Sequence, residues 1–273
     1  MEPSRPAAAA RYRRRLEFRL QAVRTAKPRG SACMVALFLL SAASTVLAGS
    51  QTNVIFAGRA GTKFNQTQIR FESDTNNATA AWQFARACYD WADVATNDTE
   101  RAAIARQGIA ACRALLARQS NSAPGHYYLA MNFGQLAAAE APSLAAYRLV
   151  QQIEGEFKTA AALDAAFDYG GPARGLGLLY RNAPDRPISV GSRRKARDWL
   201  ERAVQLAPED PENRLNLLEA HLGWRERAQA RQDLKVLDAL WPKAQTNFTG
   251  VDWEPSWADW TARKLAAEKM LIP

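Results

Sequence analysis

Residues 196–208 read Ala-Arg-Asp-Trp-Leu-Glu-Arg-Ala-Val-Gln-Leu-Ala-Pro, and residues 230–242 read Ala-Arg-Gln-Asp-Leu-Lys-Val-Leu-Asp-Ala-Leu-Trp-Pro. Ala196, Leu200, Ala203 and Pro208 stand at offsets 0, 4, 7 and 12, and Ala230, Leu234, Leu237 and Pro242 repeat those offsets 34 residues later. The first three offsets fall on one face of a helix. A small residue there lets two helices cross closely, and a large one fills the groove to the next helix. The proline is expected to end the helix and set the turn.

A 34-residue helix–turn–helix period with this spacing is the tetratricopeptide signature, and the chain resembles that family. The first-helix half of the signature is carried by Ala173, Leu176, Gly177 and Tyr180. It recurs more weakly at His126, Leu129, Ala130 and Phe133, and at Arg214, Leu217, Leu218 and His221. Starting points fall near 123, 170 and 211, with an insertion in the turn Pro184–Gly191. The resemblance implies an all-α, right-handed solenoid of antiparallel helix pairs.

The rest of the chain fits that frame. Ala and Leu dominate, which favours helices. Trp82, Ala85, Tyr89 and Ala92 form one stripe of a helix from Ala78 to about Ala95. Asn97-Asp98-Thr99-Glu100 supplies a turn and an N-cap for a second helix to about Gln119. Pro124 starts a third helix and Pro142 a long fourth one. Further helices are expected near 172–182, 192–206, 210–223 and 225–240. Pro255-Ser256 opens the last, to about Met270, as the cap that a repeat array needs. Trp253, Trp257 and Trp260 serve that cap or form an aromatic binding surface. Residues 49–76, with Gly58, Gly61, Asn65, Asn76 and Asn77, lack helical periodicity and read as a flexible N-terminal extension before a repeat domain over 77–273.

The net charge of +9 suggests nucleic acid until it is partitioned. Residues 1–33 hold nine basic and two acidic groups, so only +2 remains for the body. Met34–Ala48 then runs fifteen residues without a charge, short of the roughly 20 that span a bilayer. Residues 1–48 therefore read as a basic region and secretory signal, cleaved near Ala48, with an uncleaved anchor as the alternative. Periplasmic or secreted localisation follows. Cys88 and Cys112 remain in the mature chain, as a disulfide or as two buried thiols. The Ala- and Arg-rich composition fits a bacterial host, where the sequons at Asn65, Asn77, Asn97 and Asn247 are idle.

A narrower resemblance rests on Phe167-Asp168-Tyr169-Gly170-Gly171-Pro172, Leu176-Gly177, Tyr180, Pro184, Gly191-Ser192 and Lys195-Ala196-Arg197. Over about 124–242 the chain is similar to the T-component proteins associated with TRAP transporters, which are periplasmic helical repeat proteins. Ser192 and Ala173 depart from the Gly and His of that pattern. The resemblance implies periplasmic helical stacking. It also implies, less directly, a transporter solute-binding subunit or an apolar small ligand as partner.

No catalytic constellation emerges. Ser192-Arg-Arg-Lys195 has an acylase spacing but lacks its companion motifs, so Ser192 reads as an N-cap with Lys195 on an exposed face. Gly170, Gly171, Gly175 and Gly177 follow no strand, which excludes a dinucleotide loop. His126 and His221 occupy repeat positions of core aromatics. Asp164 with Asp168, and Glu154 with Glu156, read as solvated helix faces and not as metal ligands. No cofactor, metal or nucleic acid is expected. The expected function is an exported scaffold for protein–protein interaction, not an enzyme. The alternative is a small-molecule-binding accessory subunit of a TRAP-type transporter. Stacked first helices would line a concave surface, and Tyr127, Arg174, Arg181, Asn213 and Asn216 are the residues expected to be exposed there for a partner.

Overall fold

The structure is a computed structural model that describes residues 43–272 apart from 142 and 186–187. Most of the leader, Cys33 within it, and Pro142 lie outside the described residues. Ten helices account for nearly all of the described chain: α1 (Ala43–Ser73), α2 (Ala78–Asp93), α3 (Asp98–Arg118), α4 (Ala123–Ala139), α5 (Leu144–Leu163), α6 (Phe167–Asn182), α7 (Arg193–Leu206), α8 (Pro211–Gly223), α9 (Arg227–Asn247) and α10 (Glu254–Leu271). The only β-type pairing among the described residues is an isolated bridge between Asp185 and Gly191, which closes the inserted turn.

The helix starts are written in the sequence. Asn77, Asn97, Ser122, Ser143, Ser192 and Asp210 each accept a backbone N–H of the first turn. Each such cap contributes roughly 1 kcal/mol. Pro124, Pro211 and Pro255 occupy first-turn positions, where the missing N–H costs nothing. Ser192 is therefore the cap that its position after Gly191 suggests.

Helices pair as α2/α3, α4/α5, α6/α7 and α8/α9, and α10 covers the end. The repeat positions are the pair seams. Ala196, Leu200, Ala203, Ala230 and Leu237 are fully buried. At Gly177 an added Cβ would sit 2.7 Å from the Leu200 side chain and 3.0 Å from its backbone nitrogen, so only glycine admits the α6–α7 crossing. Truncating a buried leucine such as Leu200 to alanine costs about 2–5 kcal/mol.

Successive first helices touch, α2 with α4, α4 with α6 and α6 with α8, whereas successive second helices scarcely meet. The row therefore bends toward its first-helix face, which becomes the inner face of the solenoid.

Two expectations are corrected. The segment 49–76 is not a flexible extension up to Ser73. It belongs to α1, which packs along α2 with Phe64 and Phe71 each 5.5 Å from Phe84. Gly61, read as a breaker, gives the Trp91 indole room, since a Cβ would stand 3.2 Å from that ring. Pro242 does not end its helix, because α9 continues to Asn247 with the proline inside it, whereas Pro208 does follow the end of α7. Beyond the proline, Ala244 and Phe248 are buried against α10 residues, and that burial outweighs the lost backbone bond.

Candidate functional site

The inner face is organised around the stretch Phe167-Asp168-Tyr169-Gly170. Asp168, Tyr169 and Gly170 have φ of 51°, 56° and 72°, three consecutive left-handed residues before regular helix resumes. Such a conformation costs roughly 1–3 kcal/mol for each non-glycine residue, so surrounding bonds must fix it. Arg174 supplies them from one turn further on. Its Nη2 donates to the Asp168 carbonyl at 3.0 Å and to Asp168 Oδ2 at 3.2 Å, and its Nη1 to the Tyr169 carbonyl at 3.3 Å. Arg174 Nη1 also reaches Asn213 Oδ1 at 2.7 Å and Asp210 Oδ2 at 3.1 Å on α8 and at its cap. Asn213 Nδ2 donates back to the Tyr169 carbonyl at 2.9 Å. Tyr127 Oη closes the circuit from α4 by donating to Asp168 Oδ2 at 2.8 Å.

These bonds overturn the exposure expected for the candidate residues. Tyr127, Arg174, Asn213 and Asn216 are buried, and Arg181 is partly buried. Asn216 accepts from Arg263 Nη2 at 2.6 Å, and Arg181 donates to the Asn216 carbonyl at 3.2 Å. In a strongly curved row the inward positions of one first helix lie against the next, so they form seams. The structure does bring Tyr127, Arg174 and Asn213 together, as the frame behind the left-handed turn. Asp168 is likewise no solvated carboxylate, its side chain being only 8% exposed.

What the frame holds up is a cavity of about 140 Å³ between α2, α4 and the start of α6. Its walls are aromatic. The Trp82 and Tyr128 rings lie parallel, 5.9 Å apart and 4° from coplanar, and Phe167 stands perpendicular to both at 6.3 and 6.1 Å. Tyr169 completes the lining beside the carboxylates of Asp164 and Asp168. Asp164 ends α5 and is exposed, and its Oδ1 accepts the Ala166 N–H at 3.0 Å. Arg86 of α2 is buried at the floor, its Nε 3.8 Å from Asp90. Burial works against its charge, but Tyr128, Asp90, Asp168 and Tyr127 outweigh that and hold its pKa above the usual value. Sequence reading assigned Trp82 to a core stripe and missed its partly exposed ring. The signal that could have found it was an aromatic–acidic run, Phe167-Asp168-Tyr169, placed where no helical period runs.

The remaining candidates are structural. His126 bonds Glu156 at 2.5 Å and the Ser120 carbonyl at 2.8 Å, and the buried His221 bonds Asp233 at 2.6 Å. Glu154 accepts from Tyr180 Oη and Lys158, so the pair Glu154 and Glu156 is bonded and not merely solvated. Lys195 is partly buried with its ammonium 4.9 Å above the Tyr180 ring, not on an exposed face. Trp260 is fully buried and Trp253 and Trp257 pack around it, which makes them the cap. The inserted turn, with Ile188, Ser189 and Val190, borders a broad groove of about 690 Å³ against Leu144 and Tyr147 of α5. Cys88 and Cys112 are free, buried thiols. No group of His, Cys, Asp or Glu among the described residues could hold a metal ion.

Fold and geometry together define a tetratricopeptide-like helical solenoid with an aromatic cavity on its inner face. Comparison agrees on the fold. The crystal structure of TTC0263, a thermophilic tetratricopeptide protein of Thermus thermophilus, superposes with a TM-score of 0.54 at 18% identity, covering 84% of this chain and 100% of that one. Yeast Tom70 aligns over 93% of this chain and 70% of its own with a TM-score of 0.28 at 11% identity. The model of the family described as Regulator of microtubule dynamics protein 1-3 matches residues 50–146, from α1 into the start of α5 and fewer than half of the residues. No curated protein matches the chain.

Proposed function

We propose that this protein is an exported, non-catalytic scaffold that holds a segment of a partner protein along its first-helix face. The observation that carries the reading is the Trp82–Tyr128–Phe167 cavity, opening where three first helices converge and backed by a bonded frame. At about 140 Å³ it is well below the roughly 300–1,000 Å³ of a pocket for a whole small ligand, and it suits one anchoring side chain. The partial match to a family named for regulating microtubules, which are protein assemblies, supports a protein guest over a small molecule.

Export rests on the basic region and the uncharged run Met34–Ala48. Cleavage near Ala48 leaves most of α1 in place, including Phe64 and Phe71. Native mass spectrometry of the mature protein, purified gently from its own host, tests both points. A mass starting near Gly49 and a stoichiometric protein partner are expected. A retained small molecule without a partner would instead support the transporter-associated accessory subunit, and a full-length mass would overturn the cleavage.

A further inference from the structure

We infer that the Trp82 cavity accepts a cationic side-chain head group, a guanidinium or ammonium presented by the partner's chain. The inference rests on the scaffold reading for the origin of the guest, and on the cavity itself for its chemistry.

The walls come first. Trp82, Tyr128 and Phe167 meet with ring centroids 5.9 to 6.3 Å apart, two parallel and one perpendicular. Ring faces carry negative quadrupole density, and a cation within about 6 Å of a centroid is attracted to it. The charges come second. Around the cavity, the guanidinium groups of Arg86 and Arg174 stand against the carboxylates of Asp90, Asp168 and Asp164. Arg174, behind the wall, is shared by Asp168 and Asp210, and among the lining groups Arg86 stands against Asp164 and Asp168, so the lining carries a surplus of one negative charge. It sits on Asp164, the exposed member at the mouth. An anion would meet that carboxylate first, whereas a cation meets it and then the rings.

The size comes third. About 140 Å³ equals four or five waters at about 30 Å³ each, which is room for a head group and its last methylene. The rigidity comes fourth. Phe167 and Asp168 are set by the left-handed turn that Arg174, Asn213 and Tyr127 bond, so the site exists before the guest arrives and little ordering is required on binding.

The test follows the Trp82 indole N–H by NMR in the full mature chain, assigned through Trp82→Leu. N-acetyl-arginine amide and N-acetyl-lysine amide are titrated beside the neutral citrulline amide and the acidic N-acetyl-aspartate amide. Saturable shifts of Trp82 with either cationic probe and none with citrulline amide are expected. Asp164→Asn keeps the bond to the Ala166 N–H and removes the charge, and should weaken binding about threefold. Trp82→Leu keeps apolar volume and removes the ring face, and should weaken binding about tenfold, read on the Tyr128 ring signals. Equal shifts from citrulline amide, or a response to the aspartate probe alone, overturns the inference. A peptide-display selection separates it from the scaffold reading. Enriched peptides that bind at Trp82 without a basic residue would sink the inference and leave the scaffold standing. Arginine amide binding with no peptide enriched would do the reverse.

Discussion

At the residue scale, the two cysteines show how packing governs reactivity. Cys88 on α2 and Cys112 on α3 are both fully buried at the seam of one helix pair. Burial raises both thiols well above their ordinary range, and Cys112 adds to the shift at Cys88. The thiolate is the reactive form, so both groups are inert while the pair stays packed. The native protein is expected to leave Cys88 and Cys112 unmodified by a thiol reagent such as dithiobisnitrobenzoate, and both should react in denaturant. Rapid modification of either in the native state would contradict the packing. Spacing along the chain left both disulfide and thiols open, because it fixes only which helices the residues share. Their relative height depends on how the α2–α3 turn is wound. The same gap separated Tyr127, Arg174 and Asn213 from their true surroundings. Repeat geometry put them on first helices, but the curvature that buries them in seams comes from contacts between pairs.

At the element scale, α1 and α10 make the contrast. α10 was legible, since Pro255-Ser256 opens a helix and Trp257 and Trp260 share one of its faces. α1 was not, because the covered face mixes Phe56, Phe64 and Phe71 with Ala57, Ala60, Gly61, Thr67 and Gln68, so small and polar residues interrupt the apolar stripe. The period is helical while the hydropathy is almost flat. α10 is held by a buried cation. Arg263 is 2% exposed and donates to Glu212 at 2.8 Å, Glu219 at 2.7 Å and Asn216 at 2.6 Å, all on α8. Trp260 Nε1 donates to the second Glu212 oxygen at 2.8 Å. Removing Arg263 would leave buried carboxylate charge uncompensated, so Arg263→Met is expected to cost about 3–5 kcal/mol in urea unfolding at pH 7. Burial disfavours the Glu219 charge, but Arg263 outweighs it and holds that carboxyl below its usual pKa of 4.5. A depressed carboxyl contributes stability above its unfolded pKa and loses it as pH falls through the folded value. The wild type should therefore weaken below about pH 4.5, and the gap between it and Arg263→Met should narrow there. A gap that stays constant from about pH 7 to 4 would show that the pairing does not carry the effect.

At the scale of the whole molecule, the two ends of the row touch. Arg59 of α1 donates to Glu254 Oε2 at 2.7 Å, at the start of α10, and to the Val251 carbonyl at 3.4 Å, just before it. Both side chains are about half exposed, and such a pair contributes only about 0.2–1 kcal/mol. Nothing in the repeat period announces this contact, because it joins residues almost two hundred positions apart. Raising salt from low to molar screens it, and the scattering radius of gyration of the protein is expected to rise slightly. Arg59→Glu should show the larger radius at every salt concentration, and identical curves for both proteins would count against the clasp. An open spiral behaves like a spring whose pitch adjusts to the girth of what it grips. A spiral with its first turn hooked to its last behaves like a bracelet, which admits a strand threaded through or laid within it and resists anything that must pry it wider.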